Sequence, residues 1–103
     1  MEGVYDVMGI FYMEEHNGRY LVKPDLALTN LDISKISGSW GVFSARIMGL
    51  SYANYLRMCR DKFGGEIVGK NKKYPNVFLT EPNAKKLIKI LDARWSQLTI
   101  NNI

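Results

Sequence analysis

The sequence predicts a small single-domain α+β fold, on three observations. An Asn17-Gly18 pair sits between two runs rich in aromatic and β-branched residues. Two stretches of helical apolar spacing flank Gly49-Leu50-Ser51 in the middle of the chain. A third amphipathic stretch, opened by strong helix-start residues, closes it. The expected order is an N-terminal hairpin, a pair of helices, a basic hairpin and a C-terminal amphipathic helix. At 103 residues, 47% of them hydrophobic and 23% charged, the chain suits one packed domain and not a disordered segment.

The hairpin rests on Ile10-Phe11-Tyr12-Met13 and Tyr20-Leu21-Val22 around His16-Asn17-Gly18, because Asn-Gly favours the two-residue turn that matches strand twist. Val4, Val7, Met8, Phe11 and Tyr12 also fit one helix face, but Gly9 weakens a helix there. Pro24 ends the second strand. Residues 25–39 read as loop, with one helical turn around Asp32–Ile36. Ser39 is placed to cap a helix over Trp40–Met48, which Gly49 breaks. Ser51 caps the next, Tyr52–Phe63, whose stripe is Tyr52, Tyr55, Leu56, Cys59 and Phe63, and Gly64-Gly65 stops it.

Strands are expected at Glu66–Gly69 and Asn76–Thr80, joined by Lys70-Asn71-Lys72-Lys73-Tyr74-Pro75. Pro75, lacking an N–H, belongs in the loop or at an edge. Thr80, Glu81 and Pro82 then open a helix with Ala84, Leu87, Ile88, Leu91, Trp95 and Leu98 on its apolar stripe. Lys85, Lys86, Lys89 and Asp92 take its outer face, and Thr99–Ile103 reads as a frayed tail.

Charge is unevenly distributed. Residues 1–41 hold three basic against six acidic side chains, net −3; residues 42–103 hold eleven against four, net +7. A one-sided basic half is the footprint of a phosphate-backbone binder, or of a solvated lysine face. A single cysteine, Cys59, excludes an internal disulfide and fits a reducing compartment. No apolar run approaches the roughly 20 residues of a membrane span, and the acidic start is unlike a signal peptide. A cytoplasmic protein without membrane contact is therefore expected.

Catalytic patterns are missing from the sequence. His16 beside Glu14 and Glu15 reads as a solvated turn, because no second His or Cys cluster completes a metal site. Cys59 lies on an apolar stripe and reads as a buried thiol. There is no phosphate-cradling glycine string and no carboxylate pair placed for acid–base work. No enzyme activity, cofactor or metal is expected.

The segment Ser44-Ala45-Arg46-Ile47-Met48-Gly49-Leu50-Ser51-Tyr52 resembles a helix-turn-helix. Small Ala45 permits a close crossing, Gly49 makes the tight turn, Leu50 plugs the angle and Ser51 caps the second helix. With the lysine-tipped hairpin after it, residues 39–80 resemble a winged helix-turn-helix. The resemblance implies a double-stranded DNA-binding protein, sequence-specific or architectural, with its second helix in the major groove. Ser51, Asn54 and Arg57 would contact the groove, Asn54 reading adenine and Arg57 guanine or a phosphate, with Arg60 on the same face. Arg46, Lys70, Lys72 and Lys73 would hold phosphates. Small size and compactness point to a regulator of phage or mobile-element type, and because one short motif binds weakly, a homodimer on paired half-sites is expected. The chain departs from the pattern at Ser44, where an apolar residue is usual, at bulky Tyr52 and Tyr55, and at Asp61, which would repel phosphate.

Tyr74 among its lysines would suit stacking on unpaired bases, with less aromatic support than that mode needs. The rival reading is a protein-interaction module, or an inhibitor docking on a partner enzyme through a basic and aromatic surface that meets an acidic one. Trp40 is its expected exposed anchor.

Overall fold

The computed structural model describes residues 9–29 and 40–101, with side chains to residue 98. The expected Asp32–Ile36 turn, the Ser39 cap and the helical alternative's Val4, Val7 and Met8 lie outside the described residues.

The described chain is an α+β fold. Strand β1, Phe11–His16, pairs antiparallel with β2, Arg19–Pro24, in the register His16↔Arg19 through Phe11↔Pro24. Asn17 and Gly18 sit at φ 54° and 82°, the positive values that an Asn-Gly hairpin turn requires. Phe11 and Tyr12 therefore belong to a strand and not to a helix face. A short 3₁₀ turn at Leu26–Leu28 follows, with the Asp25 side chain accepting from the Ala27 N–H. This turn falls in the stretch expected to be loop.

Helix α1 spans Trp40–Ile47 and α2 spans Tyr52–Phe63. Strands β3, Glu66–Val68, and β4, Asn76–Phe78, form a second antiparallel pair, shorter at their ends than expected. The reason lies in Leu79: its N–H donates to Tyr20 C=O and its C=O accepts from Tyr20 N–H, both at 2.9 Å. The residue after β4 has turned to the first hairpin. The two hairpins are thus stitched together at one residue pair, with β2 and the β4 end as neighbours.

Helix α3, Glu81–Asn101, is the common support. Ala84, Leu87 and Leu91 are wholly buried, and the helix packs on β1, β2, α1 and α2. Burying each leucine contributes about 1.5–3 kcal/mol. The helix continues through residues 99–101, where a frayed tail was expected. Leu98, expected on the buried stripe, is 40% exposed. No helix among the described residues is long and apolar enough to cross a membrane.

One polar side chain of α3, Asp92, corrects the outer-face assignment, and a second, Arg94, reaches α1. Asp92 is half-buried, and its Oδ1 accepts from the N–H groups of Ile10 and Phe11 at 3.0 and 3.1 Å. It satisfies the donors at the open start of β1, which the hairpin leaves without a partner. Arg94 donates from Nε to the Ile47 C=O at 3.0 Å, capping the last turn of α1 with a cation at the negative end of the helix.

Replacing Asp92 with Ala leaves two partly buried N–H groups unpaired. We expect a stability loss of about 1–3 kcal/mol. Urea unfolding followed by circular dichroism checks this: the midpoint falls while the slope with denaturant stays constant. An unchanged midpoint would show that water replaces the carboxylate without cost.

Candidate nucleic-acid interface

The bend between α1 and α2 is built by backbone bonds. Gly49, at φ 71°, lies in the left-handed region that glycine enters without penalty. Its N–H donates to Arg46 C=O, and the Leu50 N–H donates to Ala45 C=O, both at 2.9 Å. This pair of bonds is a Schellman closure. Leu50, half-buried, packs against the core, and Ser51 begins the next helix with its Oγ accepting from Asn54 N–H at 3.2 Å. Ala45, 1% exposed, lies at the crossing, as its size predicts.

The two departures from the helix-turn-helix pattern in this core answer each other. Ser44 is fully buried, and its hydroxyl lies 3.4 Å from Trp40 C=O. The buried Tyr55 phenol shares hydrogen bonds with Ser44 and with the Cys59 thiol. A larger residue at 55 is thus matched by a smaller, polar one at 44, and no described buried side-chain polar atom lacks a partner.

Tyr52, the first residue of α2, does not project beside a groove. Its ring lies over α1 at Gly41, where a Cβ would come within 2.6 Å of Cε1. It meets Tyr55 at 6.4 Å and Tyr74 edge-on at 6.0 Å between ring centres. Its hydroxyl donates to Pro75 C=O in the β3–β4 loop. Tyr52 therefore ties that loop to the N-terminus of α2. Burial pushes its phenol up to about 12, with Cys59 adding in the same direction, so the donating proton is retained through neutral and mildly alkaline pH.

The outward face of α2 carries Ala53, Asn54, Arg57, Arg60 and Asp61, all exposed. Arg57 Nη1 donates to Asn54 Oδ1 at 2.8 Å. Arg60 is paired with Asp61 through Nε to Oδ1 at 2.8 Å and Nη2 to Oδ2 at 3.4 Å. That hydrogen-bonded pair holds the Asp61 carboxyl below the usual range and raises the guanidinium further. Asp61 is thus neutralised locally instead of standing as a bare anion.

The β3–β4 loop exposes Lys70, Asn71, Lys72 and Lys73. Lys72 N–H donates to Gly69 C=O at 2.8 Å, forming the turn, and Lys73 Nζ lies 5.5 Å from the Tyr74 ring centre. Tyr74 is half-buried against Tyr52. Arg46 is exposed in the last turn of α1.

Other singled-out residues are spent elsewhere. Trp40 is half-buried with Lys23 Nζ 5.3 Å over its ring, so it is not a free anchor. His16 Nε2 lies 2.9 Å from Glu14 Oε1, and its ring meets Phe78 at 5.9 Å. Among the described residues no His, Cys, Asp and Glu group is arranged to hold a metal. Cys59 is buried. Sequence reasoning missed Tyr52 as a tether and Arg94 as a cap, because periodicity does not report contacts between elements. Compared with protein-family models, curated proteins and solved structures, the chain matches none.

Replacing Tyr52 with Phe keeps the ring and removes the bond to Pro75. We expect a loss of about 0.5–1.5 kcal/mol and faster amide exchange confined to residues 70–74, read by hydrogen exchange. Unchanged exchange in that loop would mean that ring packing alone holds it.

Burial pushes the Cys59 thiol from its ordinary 9.0 up to about 12, with the Tyr55 hydrogen bond acting against the rise. The folded chain therefore keeps a proton between pH 9 and 12 that the unfolded chain releases. Stability is complete below pH 9 and falls as pH rises through that window. Unfolding measured at half-unit steps from pH 8 to 10.5 should show the decline, and Cys59→Ala should flatten its onset near pH 9. A profile identical in the variant would rule the thiol out as the source.

Proposed function

We propose that this chain binds double-stranded DNA, laying the exposed face of α2 in the major groove with the β3–β4 loop beside it on the phosphate backbone. The observation that carries the reading is the Tyr52 tether: it joins the first turn of α2 to the loop bearing Lys70, Lys72 and Lys73. Two cation-bearing pieces then move as one body. Support also comes from the Tyr20–Leu79 bridge, which anchors the loop's return strand to the first hairpin.

In this reading Arg57 faces base edges, and Ser51, whose oxygen is spent on the cap, still has its hydroxyl proton to donate to a phosphate. Asn54 lies beside Arg57 on the groove face, and Arg60 borders them with its charge balanced by Asp61. Arg46, Lys70, Lys72 and Lys73 have no ion pair among the described residues, so their charge is available to phosphates. A regulator of this size gains affinity by pairing two copies on half-sites.

The test is fluorescence anisotropy with a labelled random-sequence duplex at rising salt. We expect binding at low salt that weakens linearly on a log–log plot, through counterion release. The double variant Lys72→Ala/Lys73→Ala should lower the slope by about 2, since each phosphate contact contributes about 0.9. Absence of duplex binding at low salt would transfer the basic half to an acidic protein partner.

A further inference from the structure

Resting on the DNA-binding reading, we infer that α2 recognises guanine through Arg57, and that Asn54 is the positioning residue that holds the Arg57 guanidinium and not an independent reader of adenine. Three observations lead there. Asn54 and Arg57 are three residues apart on the exposed face, in the first two turns of α2. Asn54 Oδ1 accepts from Arg57 Nη1 at 2.8 Å, while Asn54 N–H donates to Ser51 Oγ at 3.2 Å. Asn54 thus has its backbone N–H in the helix cap and its side-chain oxygen on the Arg57 guanidinium. Arg60, the only other arginine on the helix, is committed to Asp61.

Donor chemistry then selects the base. An adenine edge offers one acceptor, N7, and one donor, the N6 amino group. Reading it with an asparagine requires the amide oxygen to face that donor. Here the oxygen faces a guanidinium, which would set N–H groups against the adenine amino group. What the exposed pair has left to offer is the Asn54 Nδ2 amino group and the remaining Arg57 N–H groups, all of them donors. Guanine is the base whose major-groove edge offers two acceptors, N7 and O6. Holding the guanidinium beforehand also reduces the ordering cost that a long exposed side chain incurs on binding.

The experiment is selection of bound sequences from a randomised duplex library, followed by anisotropy on the selected site and on its guanine-to-adenine change. Wild type, Arg57→Lys, Asn54→Ala and Arg60→Ala are compared, each with its fold checked by circular dichroism. We expect wild type to enrich a guanine at a fixed position and to favour it over adenine by about 5- to 150-fold. Arg57→Lys keeps the charge but loses the planar fork, so the guanine preference weakens by a larger factor than the affinity for random duplex. Asn54→Ala lowers the preference several-fold and lowers random-duplex affinity by a smaller factor, a split that general destabilisation would not produce. Arg60→Ala leaves the preference intact. Adenine enrichment abolished by Asn54→Ala, or a guanine preference undiminished by Arg57→Lys, overturns the inference. Duplex binding without base preference also overturns it and leaves the DNA-binding reading standing; no duplex binding at all removes both.

Discussion

The first hairpin and the α1–α2 pair both lean on one buried stripe, Ala84, Leu87 and Leu91 of α3. Neither two-stranded hairpin has enough area to be stable alone in water, and the α1–α2 pair has one apolar side that needs a cover. Helix α3 supplies that cover to β1, β2, α1 and α2 at once, and the second hairpin packs on β2 and α2. It adds directional contacts where apolar packing has none: Asp92 holds the entry to β1, and Arg94 holds the exit from α1. These two residues lie two apart on α3, so one stretch of helix sets the spacing between the first hairpin and the helix pair. The Tyr20–Leu79 bonds then close the arrangement from the sheet side.

The helix pair shows a second constraint, that of volume. Gly41 lets the Tyr52 ring lie against α1, and Ser44 leaves room and a partner for the Tyr55 phenol. Filling a close-packed contact with even one extra carbon costs on the order of 1–3 kcal/mol. The bulky residues that look out of place in a helix-turn-helix are accommodated by small ones on the facing helix. The result is an aromatic column, Tyr55–Tyr52–Tyr74, which runs from the core to the basic loop. Position in the core and position of the loop are therefore set by the same side chain.

Local features were the legible part of the sequence. The Asn17-Gly18 turn, the Ser51 cap, the bounds of α2 and its glycine stop all follow from backbone preferences within a few residues, and the structure has them there. Asp92 was misassigned because a helical wheel averages polarity around an axis and cannot see an N–H more than 80 residues away. Trp40 was misassigned because the cation that covers it comes from β2. The strand ends moved for a similar reason: Leu79 has suitable β character, but its partner is Tyr20 instead of β3. At the candidate interface, sequence named the exposed cations, while the Asn54–Arg57 and Tyr52–Pro75 bonds needed coordinates.

Charge follows the same division between local composition and long-range pairing. In the two hairpins, opposite charges consume one another: Glu14 lies with Lys23, and Arg19 pairs with Glu66 while covering the Phe78 ring. On α2, Arg60 is balanced by its neighbour, and on α3 Lys85 by Glu81 one turn earlier. Exposed pairs of this kind contribute at most about 1 kcal/mol each, so they do not explain the fold. They do decide where positive charge remains uncompensated. Among the described residues that charge is left at Arg46, at Lys62, at the loop lysines and along the outer side of α3, with Arg57 bonded only to a neutral amide. A phosphate backbone would meet a loop already fixed against α2, and its lysines would have no internal carboxylate to release first.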